Sequence, residues 1–193
     1  MSTHLELTTS GATHEASFSK TAVTATLERR FGDRWTFGVA AGSTIAGTLQ
    51  PPVSTYDVSP GPLLTLTGSY RVLDEGDVAP FVLLTASLGG ALAWTTPAGG
   101  AATGGRESLW AFDGRLGVAA GKTIAHVVTP YALARAFGLP VLWREQGAAT
   151  TGTDAYHYQL GAGVLVRAGA FDVEIEGVPL GEKAVVGGAG WAF

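Results

Sequence analysis

The sequence predicts an all-β fold, a single antiparallel up-and-down transmembrane β-barrel of ten strands, with eight as the alternative count. Three observations carry this. Apolar residues alternate with small or polar ones at a period of two along nearly the whole chain. The connections between the alternating runs are compact in some places and long in others. The aromatic residues gather near the ends of the runs.

Composition removes the other broad classes. Of the 193 residues 46% are apolar and 15% charged, which is too greasy for a disordered chain, and the lack of Cys excludes a disulfide scaffold. Gly, at 28 residues, has roughly twice its usual share. A formal charge of -4 leaves no basic footprint for nucleic acid. The most apolar stretch, Pro80 to Trp94, is interrupted by Thr85, Ser87, Gly89 and Gly90, so no membrane-spanning helix is expected. Met1 to His4 has neither the basic start nor the apolar run of an export signal, so none is expected in this chain. No repeat or linker divides the chain, and residues 1–193 read as one domain.

The expected strands are 3–10, 16–31, 34–48, 62–73, 80–95, 107–121, 129–143, 155–168, 170–178 and 183–193. In the first, His4, Glu6 and Thr8 form the polar face; in the second, Glu28 does. The third sets Trp35, Phe37, Val39 and Ile45 against Thr36, Gly38, Ala40 and Gly42. Leu64, Leu66 and Tyr70 oppose Thr65, Thr67 and Arg71; Leu84, Leu88 and Trp94 oppose Thr85, Ser87 and Gly89. Trp110, Phe112, Leu116 and Val118 oppose Asp113 and Arg115. Tyr156, Tyr158, Leu160, Val164 and Val166 oppose His157, Gln159 and Arg167, and the last strand sets Val185, Trp191 and Phe193 against Gly188 and Gly190. Compact turns fall at Gly32-Asp33, 74–79, 122–128 and Ala168-Gly169, and long Gly/Pro/Thr-rich connections at 49–61, 96–106 and 144–154.

A soluble sandwich or lipocalin-like barrel alternates too, so the face that points inward decides the class. Strands of ten or more residues suit a tilted span of about 9 to 11 residues. Phe31, Trp35, Tyr70, Phe171, Trp191 and Phe193 would girdle the short-turn rim, and Trp94, Trp110, Trp143, Tyr156 and Tyr158 the long-loop rim. The polar face mixes Gly and Ala with scattered Arg, Asp and Glu, which suits a crowded lumen.

With that orientation, Glu6, Arg71, Asp113, Arg115, Arg135, Arg167, Asp172, Glu174 and Glu176 face the lumen, and charges there must pair or stay hydrated. A salt-bridged network narrowing the short-turn end is expected, with a small vestibule lined by Thr8, Ala40, Gly42, Thr65, Ser87, Gly89 and Ala111 toward the long loops. The acidic row Asp172, Glu174 and Glu176 reads either as a cation path or as counter-ions to the arginines. Run 129–143 is hardest: an outward Arg135 costs up to roughly 2–4 kcal/mol near the midplane, so Arg135 is placed inward with Tyr131, Leu133 and Phe137. A bulge at Gly138-Leu139-Pro140 would then turn Leu139, Val141 and Trp143 outward. Inward Phe81, Leu83, Leu133, Phe137 and Leu165 read as barrel filling or as a greasy pocket.

Chemistry is thin. His4, His14, His126 and His157 are scattered, no nucleophile, base and orienting acid share a spacing, and no metal ligand pattern occurs, so no catalytic residue, metal or cofactor is expected. Gly99, Gly100, Gly104 and Gly105 lack the Lys-Ser/Thr context of a phosphate cradle and read as loop flexibility.

The C-terminal run from Lys183 to Phe193 ends on an aromatic residue, with Gly188, Trp191 and Phe193 at characteristic positions. It resembles the last strand of bacterial outer-membrane β-barrel proteins, which carries an assembly signal of this form, although Val186 stands where a polar residue is usual. In architecture the whole chain resembles the small barrels of the OmpA, OmpX and OmpW type. The resemblance implies a place in the bacterial outer membrane among its lipid and lipopolysaccharide, and insertion by the barrel-insertion machinery. It implies no particular activity. The expected role is structural or surface-interacting, through a loop partner outside the cell; a narrow pore for small polar solutes or ions is the alternative, and an enzyme acting on lipid or peptide the third.

Overall fold

The computed structural model describes residues 1–9, 11–99, 105–138, 140–145 and 147–192. Every regular element among them is a strand: β1 (Ser2–Thr9), β2 (Ala12–Phe31), β3 (Trp35–Gln50), β4 (Tyr56–Ser59), β5 (Gly61–Leu73), β6 (Phe81–Pro97), β7 (Glu107–Gly121), β8 (Val128–Gly138), β9 (Val141–Glu145), β10 (Ala148–Asp154), β11 (Tyr158–Ala168), β12 (Phe171–Gly181) and β13 (Ala184–Trp191). All pair antiparallel. The pairing β1–β2–β3–β5–β6–β7–β9–β10 returns to β1 and closes a ring of eight strands. β4 bridges β3 to β6 above β5. A branch, β7–β8–β11–β12–β13, leaves the ring along the lower part of β7.

The expected runs are therefore redistributed. Connection 49–61 contains β4, connection 144–154 contains β10, and run 129–143 is two strands. Leu139 and Phe193, as well as Gly100 and Gly104, lie outside the described residues. Below, the turn end is the rim holding 32–34, 74–80, 122–127 and 169–170, and the loop end is the rim holding Gly11, Ala98, Gly99, Gly105, Arg106 and Gly147. In one turn-end hairpin, Ala125 (φ 51°) and His126 (φ 60°) are successively left-handed, at the centre of a turn that the Val127 N–H closes onto the Ile124 carbonyl at 3.1 Å.

Two inversions organise the cross-section. In the loop-end half the interior is apolar: Leu5, Leu7, Phe18, Leu49, Tyr56, Val58, Leu109, Val141 and Trp143 form one buried cluster. The contacts cross the ring. Tyr56 on β4 meets Trp143 on β9 edge-to-face at 4.9 Å, and Trp143 Nε1 donates to Thr95 Oγ1 on β6 at 2.9 Å. The outward residues at that level, His4, Glu6, Glu15, Gln50 and Asp57, are polar and exposed. In the turn-end half the arrangement reverses. Leu64, Leu66, Leu84, Leu88, Phe112, Leu116, Val164 and Ile175 are exposed at 40–68%, while Thr65, Thr67, Thr85, Ser87, Asp113 and Arg115 on the opposite face are partly covered.

Several expectations change as a result. Glu6, with His4 and Thr8, lies on the outer side of β1, because Leu5 and Leu7 take the core. The expected vestibule at the loop end is instead filled by that core. Val141 and Trp143 point inward: Gly114 pairs with Gly138 and Ala111 with Val141, three residues apart on both strands, so Pro140 interrupts the ladder without shifting its parity. One parity change occurs on β12, where Leu160 pairs with Leu180 but Ala162 with Gly177, and another on β3. Thr21 pairs with Ala46 but Ala22 with Thr44, leaving Ile45 bulged, and below it the inward residues are even-numbered whereas above it Gly47 and Leu49 face in.

Candidate functional site: a layer of interior charge

Beneath the apolar core the interior carries two sets of polar side chains. In the first, Arg115 on β7 reaches Asp113 Oδ2 at 2.6 Å and Glu182 at 3.1 Å. Glu182, in the turn after β12, is 1% exposed and also accepts Gln159 Nε2 at 2.5 Å. Gln159 Oε1 has no partner among the described residues. Lys20, Asp113, Arg115, Asp154 and Glu182 line a common cavity of about 90 Å³. Thr3 donates to Asp154 at 3.1 Å. A carboxylate this buried would cost several kcal/mol if unpaired, so the guanidinium of Arg115 is what allows Glu182 to sit there.

The second set lies on the branch. Arg135 on β8 holds both oxygens of Glu176 on β12, at 2.8 and 3.0 Å, the fork-to-fork geometry that adds direction to charge. The Tyr131 hydroxyl bonds Glu174 and lies 3.1 Å from Glu176. β11 runs between these strands, and its glycines make the reach possible: a Cβ on Gly163 would overlap the Tyr131 ring. Gly117 on β7 does the same for Arg135, whose Cγ lies 2.7 Å from where a Cβ would stand.

Of the nine residues expected to line the lumen, Asp113, Arg115, Arg135, Glu174 and Glu176 are thus brought into two clusters. Arg71 is at the turn-end rim, 3.7 Å from Asp74. Arg167 is exposed, and Asp172 faces the same side as Glu174 opposite Gly190, with no ion pair among the described residues. Glu6 is outside the ring. Lys20, Tyr131, Asp154, Gln159 and Glu182 complete the clusters. Lys20 was readable, since it shares parity with the inward Glu28; Asp154 and Glu182 sit in segments that looked like connections.

In the C-terminal run, Gly188 and Trp191 lie on β13 and Trp191 is 69% exposed. Leu133 and Phe137 are buried, as barrel filling requires. The four histidines stay apart: His4 packs edge-on against Tyr156 at 5.9 Å, and His157 Nδ1 lies 3.3 Å from the Phe137 carbonyl. No group of three His, Asp or Glu among the described residues is placed to hold a metal ion.

Comparison with family models, curated proteins and solved structures finds no match to this chain. The interior charge therefore has to be read from its own chemistry. Carboxylates and cations are paired across strands that do not touch, Arg135 with Glu176 and Arg115 with Glu182, which ties the wall together.

Proposed function

We propose that the chain is an integral β-barrel of the bacterial outer membrane, with its turn-end half in the bilayer. One observation carries the reading: the same half that exposes Leu64, Leu66, Leu84, Leu88, Leu116 and Ile175 keeps Arg115, Arg135, Glu176 and Glu182 inside. Soluble monomers rarely expose contiguous apolar patches beyond a few hundred Å², and lipid is the solvent that such a belt fits. The aromatics support it. Phe31, Trp35, Phe37 and Tyr70 form a contiguous group at the turn end, with Trp35 stacked on Phe37 at 5.7 Å and 4.7 Å from Tyr70. Trp110, Tyr156 and Tyr158 are exposed near mid-height, where the outer surface changes from apolar to polar.

The role assigned is structural or surface-interacting, with lipid and lipopolysaccharide around the belt, the barrel-insertion machinery during assembly, and a partner outside the cell at the loop end. The narrow-pore alternative is weighed down by Leu7, Leu49 and Trp143, which fill the path above the charge layer. No enzymatic activity is assigned. The test is refolding from urea with and without detergent micelles. Native β-sheet circular dichroism only with micelles, lost in Leu116→Arg, is expected; a folded monomer in plain buffer, indifferent to Leu116→Arg, overturns the reading. Steady single-channel conductance in planar bilayers would overturn the closed interior.

A further inference from the structure

Among the described residues, two strand edges in the turn-end half have no partner. β1 covers β2 only along Ala12–Ser19, so residues 21–31 of β2 pair on one side only, with β3. β13 pairs on one side only, with β12. Both strands run from mid-height toward the turn end, since each leads into or pairs beside a turn-end hairpin. Parallel to one another, they cannot form the antiparallel ladder used everywhere else.

The top of the gap is one strand wide. Ser2 exchanges backbone hydrogen bonds with Lys183 at 2.7 and 2.9 Å, while Met1 and Lys20 exchange their own at 3.0 and 3.1 Å on the other side. The start of β1 thus spans the distance between β2 and β13 alone, antiparallel to both. Directly outside, Met1, Ser2, Val178, Leu180, Ala184 and Val185 line an open apolar groove of about 1040 Å³.

We infer that this gap is a slot for one extended strand that none of the described residues supplies, in line with β1 and running in its direction. Counting down from Ser2, the strand's inward positions fall opposite Ala22, Thr24 and Thr26 on β2 and opposite Val186, Gly188 and Gly190 on β13. These are the inward positions of both edges, so one alternation satisfies both sides. About eight residues are flanked twice, roughly 26 Å at 3.3 Å each, which matches the height of an apolar membrane band. Half the backbone groups of each edge point into the gap, and in lipid each left unpaired costs several kcal/mol.

Charge specifies the occupant further. Gly188 and Gly190 have no side chains, and their partners across the ladder are Glu174 and Asp172. Neither carboxylate has an ion-pair partner among the described residues. The strand that fits presents basic side chains at the two inward positions facing these glycines and apolar ones outward to lipid. A second copy's edge is a poor fit, because copies inserted with the same orientation meet with parallel strands.

The unpaired edges rest on the backbone pairing and the apolar outward face of the strand on the proposed membrane setting, so peptide binding and detergent-dependent folding are read separately. The probe is an eight-residue peptide, blocked at both ends, with leucine or valine outward and lysine at the two positions facing Gly188 and Gly190; its counterpart has glutamate there. Hydrogen exchange and fluorescence titration of the protein in detergent micelles are expected to show one peptide bound and new protection at Thr24, Thr26, Gly187 and Ala189, whose N–H groups point into the gap. The glutamate peptide binds at least ten-fold more weakly, and Asp172→Asn with Glu174→Gln abolishes the preference. Amides of these edges already protected without peptide, or no binding of either peptide, overturns the slot; equal binding of both peptides overturns its basic specificity.

Discussion

Replacing Arg135 by Met leaves Glu176 behind in a place built for its partner. Glu176 is 6% exposed at its side chain and takes two charge-assisted hydrogen bonds, at 2.8 and 3.0 Å, from a guanidinium that is itself 27% exposed. Stranding one member of a buried pair costs about 3–5 kcal/mol. The partial exposure of Arg135 and the Tyr131 hydroxyl at 3.1 Å from Glu176 reduce this to about 3 kcal/mol at pH 7. Glu176→Gln in the same chain removes the stranded charge, and the double variant should recover about half of the loss. Urea unfolding in micelles, followed by circular dichroism and a heat-sensitive gel shift, measures all four corners of the cycle. β8 and β12 never pair, being separated by β11, so coupling between these two residues requires both to project from the same face, across β11. A coupling below about 0.5 kcal/mol would refute the inward placement of the charge.

Trp143→Ala empties the centre of the loop-end core, where the indole is 2% exposed, and should lower stability by about 3–5 kcal/mol; an unfolding midpoint near that of the parent would place Trp143 at the surface. Ala125→Gly relieves a left-handed residue in an exposed turn and should raise stability by about 1 kcal/mol, read as a higher urea midpoint. Glu75, at the turn end, accepts the backbone N–H of Thr123 at 2.6 Å and its hydroxyl at 2.9 Å, and these bonds hold its carboxyl below the usual range. Its contribution is therefore present above the ordinary carboxylate pKa, about 4.3, and fades as pH falls through the lower folded value. The difference between parent and Glu75→Gln should be full at pH 7 and shrink in acid; a difference unchanged down to pH 2 would contradict the assignment.

How far the sequence can be read depends on what alternation says. Leu64, Leu66, Leu84 and Leu116 were placed correctly because their runs keep one parity and their opposite faces carry charge that has to pair. On β1 the same pattern separates Leu5 and Leu7 from His4 and Glu6 but carries no sign, and in the loop-end half the sign is reversed. Period two divides a strand into two faces; which face is inside depends on what the neighbours bury. A bulge at Pro140 would turn Val141 and Trp143 outward, whereas the ladder keeps its parity there and one bulge falls at Ile45, where no Gly or Pro marks it. Glu182 was illegible for another reason. Its partners Arg115 and Gln159 come from distant strands, and local spacing says nothing about what a hairpin turn folds over.

The change of sign at mid-height has a mechanical corollary. Seated in a bilayer, the cylinder has a waterline, with Glu6, Glu15, Gln50 and Asp57 above it and Leu64, Leu88, Leu116 and Ile175 below. Rising would wet the leucines and sinking would bury the carboxylates in oil, so the draught is set by the molecule itself. If the proposed membrane setting holds, a bilayer of the wrong thickness has to deform around the protein, because this surface matches only one depth.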